Sequence, residues 1–228
     1  YTLSGPAEPS EIKALGEKYI ATLSDKSAPT SQFKDREPVV RKGEVSLFYK
    51  GKNLKSSKAS FYRSYSGKIE YTTENYVKAR FLVYILRERY MKSIREEKGG
   101  TYHVGVGIGT IQYPQPLFRI SVDFDTDPKL VQELAEIVQK EIEKVTTEGV
   151  SDKEVKEVML YLKKGVEEKK SIKRDWAADL KNSIKGNVDL TIGEENYFDK
   201  ITSKELKKFA QQLFSQKNRM TFIFAPEN

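Results

Sequence analysis

Hydrophobic positions along the chain switch between helical spacing and strict alternation, and the switches mark out the expected elements. Pro9 and Ser10 open a helix with Ile12, Leu15, Tyr19 and Leu23 on one face, preceded by a short strand at 1–5. Periodicity then vanishes from Ser24 to Glu44, where polar residues and Pro29 read as a linker. Two strands are expected next, at 44–50 and 59–66. The second puts Phe61, Arg63 and Tyr65 on one side and Tyr62 and Ser64 on the other. A basic solvated loop, 51–58, joins them. A long helix is predicted over 73–98; its middle, from Phe81 to Leu86, is apolar all round and so buried. Gly99 and Gly100 end it, since glycine readily takes the left-handed conformation of a helix terminus.

Strands follow at 101–111 and 117–125. In the latter, Phe118, Ile120, Val122 and Phe124 face in, and Arg119, Ser121 and Asp123 face out. Asp127 and Pro128 cap a helix running to about Glu148, with Leu130, Leu134, Ile137, Val138 and Val145 inward. Ser151–Glu154 and Thr202–Glu205 are capping-box spacings that open two further helices. Between them a short helix is expected around Trp176, Leu180 and Ile184, with Trp176 and Leu180 in the core. A strand at 220–225 closes the chain.

Strand pairs followed by runs of helices predict an α+β fold, a mostly antiparallel sheet with helices packed on one face. Tyr1-Thr2-Leu3 before Pro6-Ala7-Glu8 is echoed by Met220-Thr221-Phe222 before Ala225-Pro226-Glu227. Each looks like the closing strand of a unit. The expected organisation is therefore 1–25 as the closing strand and helix of a preceding repeat, 26–44 as a linker, and 45–228 as the domain proper.

Composition narrows the chemistry. Cysteine is absent and His103 is the one histidine, so thiolate metal sites and paired-imidazole zinc helices are excluded from this chain. No metal ligand set of those kinds is therefore expected in it. Lacking cysteine, the chain suits cytosol and periplasm alike, with the periplasm favoured. The start at Tyr1, without Met or a basic leader, reads as a piece of a longer protein. The longest uncharged run, 99–118, holds five glycines and two prolines, so it reads as strand and loop rather than a membrane span.

One stretch stands out: Ser93-Ile94-Arg95-Glu96-Glu97-Lys98-Gly99-Gly100-Thr101-Tyr102-His103. A buried helix breaks at a diglycine and returns as a glycine-spaced strand. The turn can bring the Arg95 guanidinium and the Tyr102 phenol toward one spot. Both are donors, so the pair suits a peptide carbonyl or a developing oxyanion. The plainer possibility is that Arg95 serves the helix C-terminus and Tyr102 fills core space.

This stretch resembles the C-terminal, non-catalytic half of the M16 zinc peptidases, the pitrilysin, insulinase and mitochondrial processing peptidase group. The resemblance extends to Leu3-Ser4-Gly5 with Glu11–Ile20, and to Val150–Val155. It implies an M16-like domain that closes a chamber over an unfolded peptide. Arg95 and Tyr102 would hold the substrate and help to stabilise the hydrolysis intermediate. It further implies that the zinc belongs to an N-terminal catalytic half, in the same parent chain or in a separate subunit. That half has an inverted His-x-x-Glu-His helix, which a chain with one histidine cannot contain, so this chain alone is expected to be inactive. The expected partners are that half and a peptide substrate.

The remaining features have plainer readings. Strand alternation would put His103 and Tyr102 on opposite faces, with Gly105, Gly107 and Gly109 sharing the His103 face; close helix packing there, or an extended peptide, would use that bare surface. Glu96, Glu97 and Lys98, and the mixed run from Glu167 to Arg174, read as solvated. The net charge of +7, with Lys50, Lys52, Lys55, Lys58 and Arg63 among Tyr49, Phe61, Tyr62 and Tyr65, permits a single-stranded nucleic-acid binder. Acidic residues spread throughout count against it. A scaffold or partner subunit that keeps the fold without the chemistry is the other alternative.

Overall fold

A computed structural model describes residues 6–23, 42–52, 57–96, 98–112, 115–168 with the backbone to 170, 180, 184, 190–191 and 193–227. The elements are α1 (Pro9–Tyr19), β1 (Glu44–Gly51), β2 (Ala59–Lys68), α2 (Thr73–Tyr90) continued by a π-helical turn (Met91–Glu96), β3 (Gly105–Ile111), β4 (Leu117–Thr126), α3 (Val131–Thr147), α4 (Asp152–Lys170), α5 (Glu195–Phe198), α6 (Ser203–Phe214) and β5 (Arg219–Pro226). The strand expected at 1–5, most of the linker and the Trp176 helix lie outside the described residues.

The strands form one sheet in the order β1-β5-β2-β4-β3. It is mostly antiparallel, as expected, but mixed, because β1 runs parallel to β5. The last strand inserts between the first two, so β1 and β2, neighbours in sequence, do not pair.

Alternation decides what each face carries. Phe61, Arg63 and Tyr65 of β2, Ile120, Val122 and Phe124 of β4 and Val106 of β3 are buried on one face. α2 crosses that face with Val77, Phe81, Leu82, Ile85, Leu86 and Tyr90 fully or nearly fully buried, and α3 and α6 flank it. Buried Arg63 is satisfied without a carboxylate: its guanidinium donates to Thr221 Oγ1 (3.0 Å) and to the Ala135 carbonyl (2.9 Å), and lies over the Phe61 ring. The Tyr90 hydroxyl donates to the Val138 carbonyl at 3.1 Å, and burial pushes its pKa well up.

Thr72 caps α2 by accepting from the Asn75 N–H, and both expected capping boxes form. The cap expected at Asp127 and Pro128 does not: α3 starts at Val131 with Leu130 as its N-cap, and Asp127 Oδ1 accepts from the Lys129 N–H in the turn before it. The helix expected from Pro9 forms as α1, and Leu15, Tyr19 and Leu23 are exposed. Leu180, expected in the core, is also exposed. None of the described helices is long and apolar enough to cross a membrane.

Candidate functional site

The site begins with a helix that loses its regular winding. After Tyr90 the backbone widens into a π turn, anchored by fully buried Ile94. An extra residue per turn rotates the last residues of the helix, and Arg95 and Glu96 emerge to solvent. Gly99 then takes φ +58°, which a side-chain-bearing residue rarely adopts. Its N–H bonds the Arg95 carbonyl (3.0 Å), and the Gly100 N–H reaches back to Ile94 (3.1 Å).

The segment beyond is fastened to the end of β4 by two threonines. Thr101 Oγ1 donates to the Asp125 carbonyl at 2.7 Å, and Thr126 Oγ1 donates to the Gly100 carbonyl. Gly100 itself is pressed against Leu134: a Cβ there would sit 2.7 Å from Leu134 Cδ1. Fixed on both sides, the backbone turns Tyr102 outward with 85% of its surface exposed. The Arg95 guanidinium carbon stands 5.5 Å from the Tyr102 ring centroid. The two residues singled out from sequence therefore meet, as a cation on an aromatic face, at a surface open to a ligand. Neither serves the core.

Two expectations are corrected here. The strand starts at Gly105 rather than Thr101, so Tyr102 and His103 both precede it and both are exposed. Strand alternation does not separate them. Gly105, Gly107 and Gly109 face the side of the sheet that no described helix covers, while α2 packs against the Val106 side. Helix packing is therefore not what the glycines serve. Thr101 and Thr126 are positioning residues that the motif did not reveal, since Thr126 meets Gly100 only through the fold.

Among the described residues, no three of His, Asp and Glu group as a metal site would require. The aromatic–basic platform breaks up as well. Phe61, Arg63 and Tyr65 are buried beneath helices, while Tyr62 and Tyr49 lie on the opposite face, so bases cannot stack along them together.

Comparison with known proteins decides the family. The model of the M16 peptidase inactive domain matches residues 1–162. The chain belongs to the M16 peptidase family, as an inactive domain. No curated protein matches it. Among solved structures, the periplasmic protease PqqL from Escherichia coli is similar at TM-score 0.77 and 16% identity, over 98% of this chain and 25% of that one. The ferredoxin protease FusC, solved with Arabidopsis ferredoxin, is similar at 0.76 and 17%, over 97% and 24%. An M16 inactive domain from Pseudomonas fluorescens is similar at 0.75 and 17%, over 97% and 52%. The chain thus spans a quarter to a half of these relatives. At such identities they establish its fold: an M16 inactive domain, related to proteases.

Proposed function

We propose that this M16 inactive domain is the C-terminal substrate-holding half of a peptidase, and that Arg95 and Tyr102 are its contacts to the peptide. The observation that carries this reading is the pair itself: a guanidinium 5.5 Å from an 85% exposed phenol ring, on backbone fastened on both sides. Both groups donate hydrogen bonds. Aimed at one scissile carbonyl, they orient it in the ground state and bind its oxygen more tightly as negative charge builds. Held on rigid backbone, they need little reorganisation at that moment.

The described residues do not fit zinc, so no metal-dependent step is assigned to this chain. The metal and the attacking water belong to an N-terminal catalytic half, which closes with this one around an unfolded peptide. The proposed division of the chain places residues 1–25 at the end of a preceding repeat and 45–228 as the holding domain.

The test uses the parent protein, or this chain reassembled with its N-terminal half, turning over an unfolded peptide. Arg95→Ala and Tyr102→Phe should each lower kcat by about 10²–10³, the range for losing one oxyanion donor. Both sites are exposed, so the thermal midpoint should not move. Unchanged turnover in both variants would overturn the reading.

A further inference from the structure

The sheet's hydrogen-bond parity shows which groups β3 turns outward. The Ser66 N–H bonds the Asn218 carbonyl on the β5 side, so even-numbered residues of β2 face β5 and odd-numbered ones face β4. Phe61, Arg63 and Tyr65 pair with Phe124, Val122 and Ile120. It follows that Arg119, Ser121 and Asp123 point their backbone groups at β3, opposite Gly109, Gly107 and Gly105. Val106, Ile108 and Thr110 therefore turn their N–H and C=O groups to the other side, where none of the described strands lies. The Val106 carbonyl confirms the parity, accepting from Arg87 Nη2 at 2.9 Å.

Edges of this kind are usually blunted by charge, proline or a bulge. β3, with sequence Gly-Val-Gly-Ile-Gly-Thr-Ile, has neither charge nor proline. Beside the edge, the helix-free side opens toward the far end of the strand: a Cβ at Gly109 would meet nothing within 4 Å and one at Gly107 only Ser121 Oγ at 3.4 Å, while one at Gly105 would meet Asp123 Oδ2 at 2.6 Å. The strand also starts three residues after Tyr102. At about 3.3 Å per residue, such an edge accommodates some seven residues of extended chain.

Given the peptide-holding role assigned to Arg95 and Tyr102, on which this step rests, we infer that an extended segment of the same peptide adds to β3 as a sixth strand. Its backbone bonds Val106, Ile108 and Thr110. Alternate side chains pass over the glycine lane. The others face Arg87, whose guanidinium lies 5.0 Å from the Tyr84 ring centroid and keeps further N–H groups for a peptide carbonyl. The occupant is a peptide rather than a second copy of the chain because the strand begins only three residues after Tyr102 of the exposed Arg95–Tyr102 pair.

The probe is an acetylated, amidated octapeptide of alternating threonine and valine, with one lysine for solubility, titrated into this chain and followed by NMR. The Val106, Ile108 and Thr110 amide signals should shift and gain exchange protection, more than those of Gly105, Gly107 and Gly109. N-methylating every second amide should leave affinity within about threefold, since a strand uses alternate amides toward one neighbour. Methylating four consecutive amides should cost at least about tenfold, one lost hydrogen bond's worth or more. Thr110→Pro removes an outward N–H that the ladder does not use, so the fold should persist while binding weakens about tenfold.

Equal binding of the consecutively methylated peptide overturns the inference, as does concentration-dependent dimerisation that protects the same three amides without peptide. If methylation has no effect but Arg95→Ala weakens binding, the edge proposal fails and the role of the pair stands. If methylation abolishes binding while neither Arg95→Ala nor Tyr102→Phe changes binding or turnover, the edge stands and the role of the pair fails.

Discussion

On β2, Phe61, Arg63 and Tyr65 lie buried under the helices, while Tyr62 and Ser66, their chain neighbours, face the side that no described helix covers. β4 and β3 repeat the division, with Val122 and Val106 under α2, and Asp123 and Gly105 outside. On the covered face of β2 and β4, the side chains are held by their neighbours, and even a guanidinium is satisfied by a hydroxyl and a carbonyl. On the open face Tyr49 and Tyr62 meet only Phe224 and Phe222 among the described rings, and along the β3 edge the Ile108 and Thr110 backbone groups face none of the described strands. One face commits its residues to stability; the other carries residues that no described helix covers.

The sharpest way to break this comparison is to carve both faces alike. Leu86→Ala, on the fully buried side of α2, should cost about 2–5 kcal/mol, the range for a core leucine. Phe222→Ala, at 38% exposure on the open face, should cost less than about 1 kcal/mol in this chain by itself. Urea unfolding of both variants checks the pair. Equal losses would mean that the faces do not differ.

Adding a methyl group makes a finer comparison. At Gly100 it would press on Leu134, which is enclosed by core and cannot swing away, so Gly100→Ala should cost about 1–3 kcal/mol. At Gly105 it would meet Asp123 Oδ2 at 2.6 Å, but that carboxylate is exposed and can rotate aside. Gly105→Ala should therefore stay within about 0.5 kcal/mol. Differential scanning calorimetry resolves the two.

The smallest effect concerns acid. Burial raises the pKa of Glu154, but hydrogen bonds from Arg89 (2.7 and 3.1 Å) and from Ser151 outweigh it, and the net shift is downward. A carboxylate with a depressed folded-state pKa stabilises the protein above its unfolded-state value, and that contribution is lost as pH falls through the lower folded value. Stability should decline as pH drops below the ordinary glutamate value of about 4.3. Glu154→Gln should flatten the decline in urea midpoints measured across that range. An unchanged slope would detach Arg89–Glu154 from the stability of the covered side.

Much of the site could be read before folding. Arg95 and Tyr102 stood out because a diglycine helix stop lies between them, and their meeting follows from that local geometry. Thr126 could not be found this way, since its hydroxyl finds Gly100 only after β4 has been placed beside the 100–104 segment. The strand start at Gly105 was misjudged because the threonine contacts hold 101–104 out of the ladder.

The sequence by itself determined the two capping boxes, the buried middle of α2, the diglycine stop and the inward and outward sets of β2 and β4. These depend on residue propensities and on periods of 3.6 and 2, which act over a few neighbours. Only the tertiary structure decided that β5 separates β1 from β2, that α2 covers the valine side of β3 rather than its glycine side, and that β3 is the outermost of the described strands. Those outcomes depend on which distant strand a backbone edge pairs with, and alternation along a single strand reads the same whichever neighbour lies beside it.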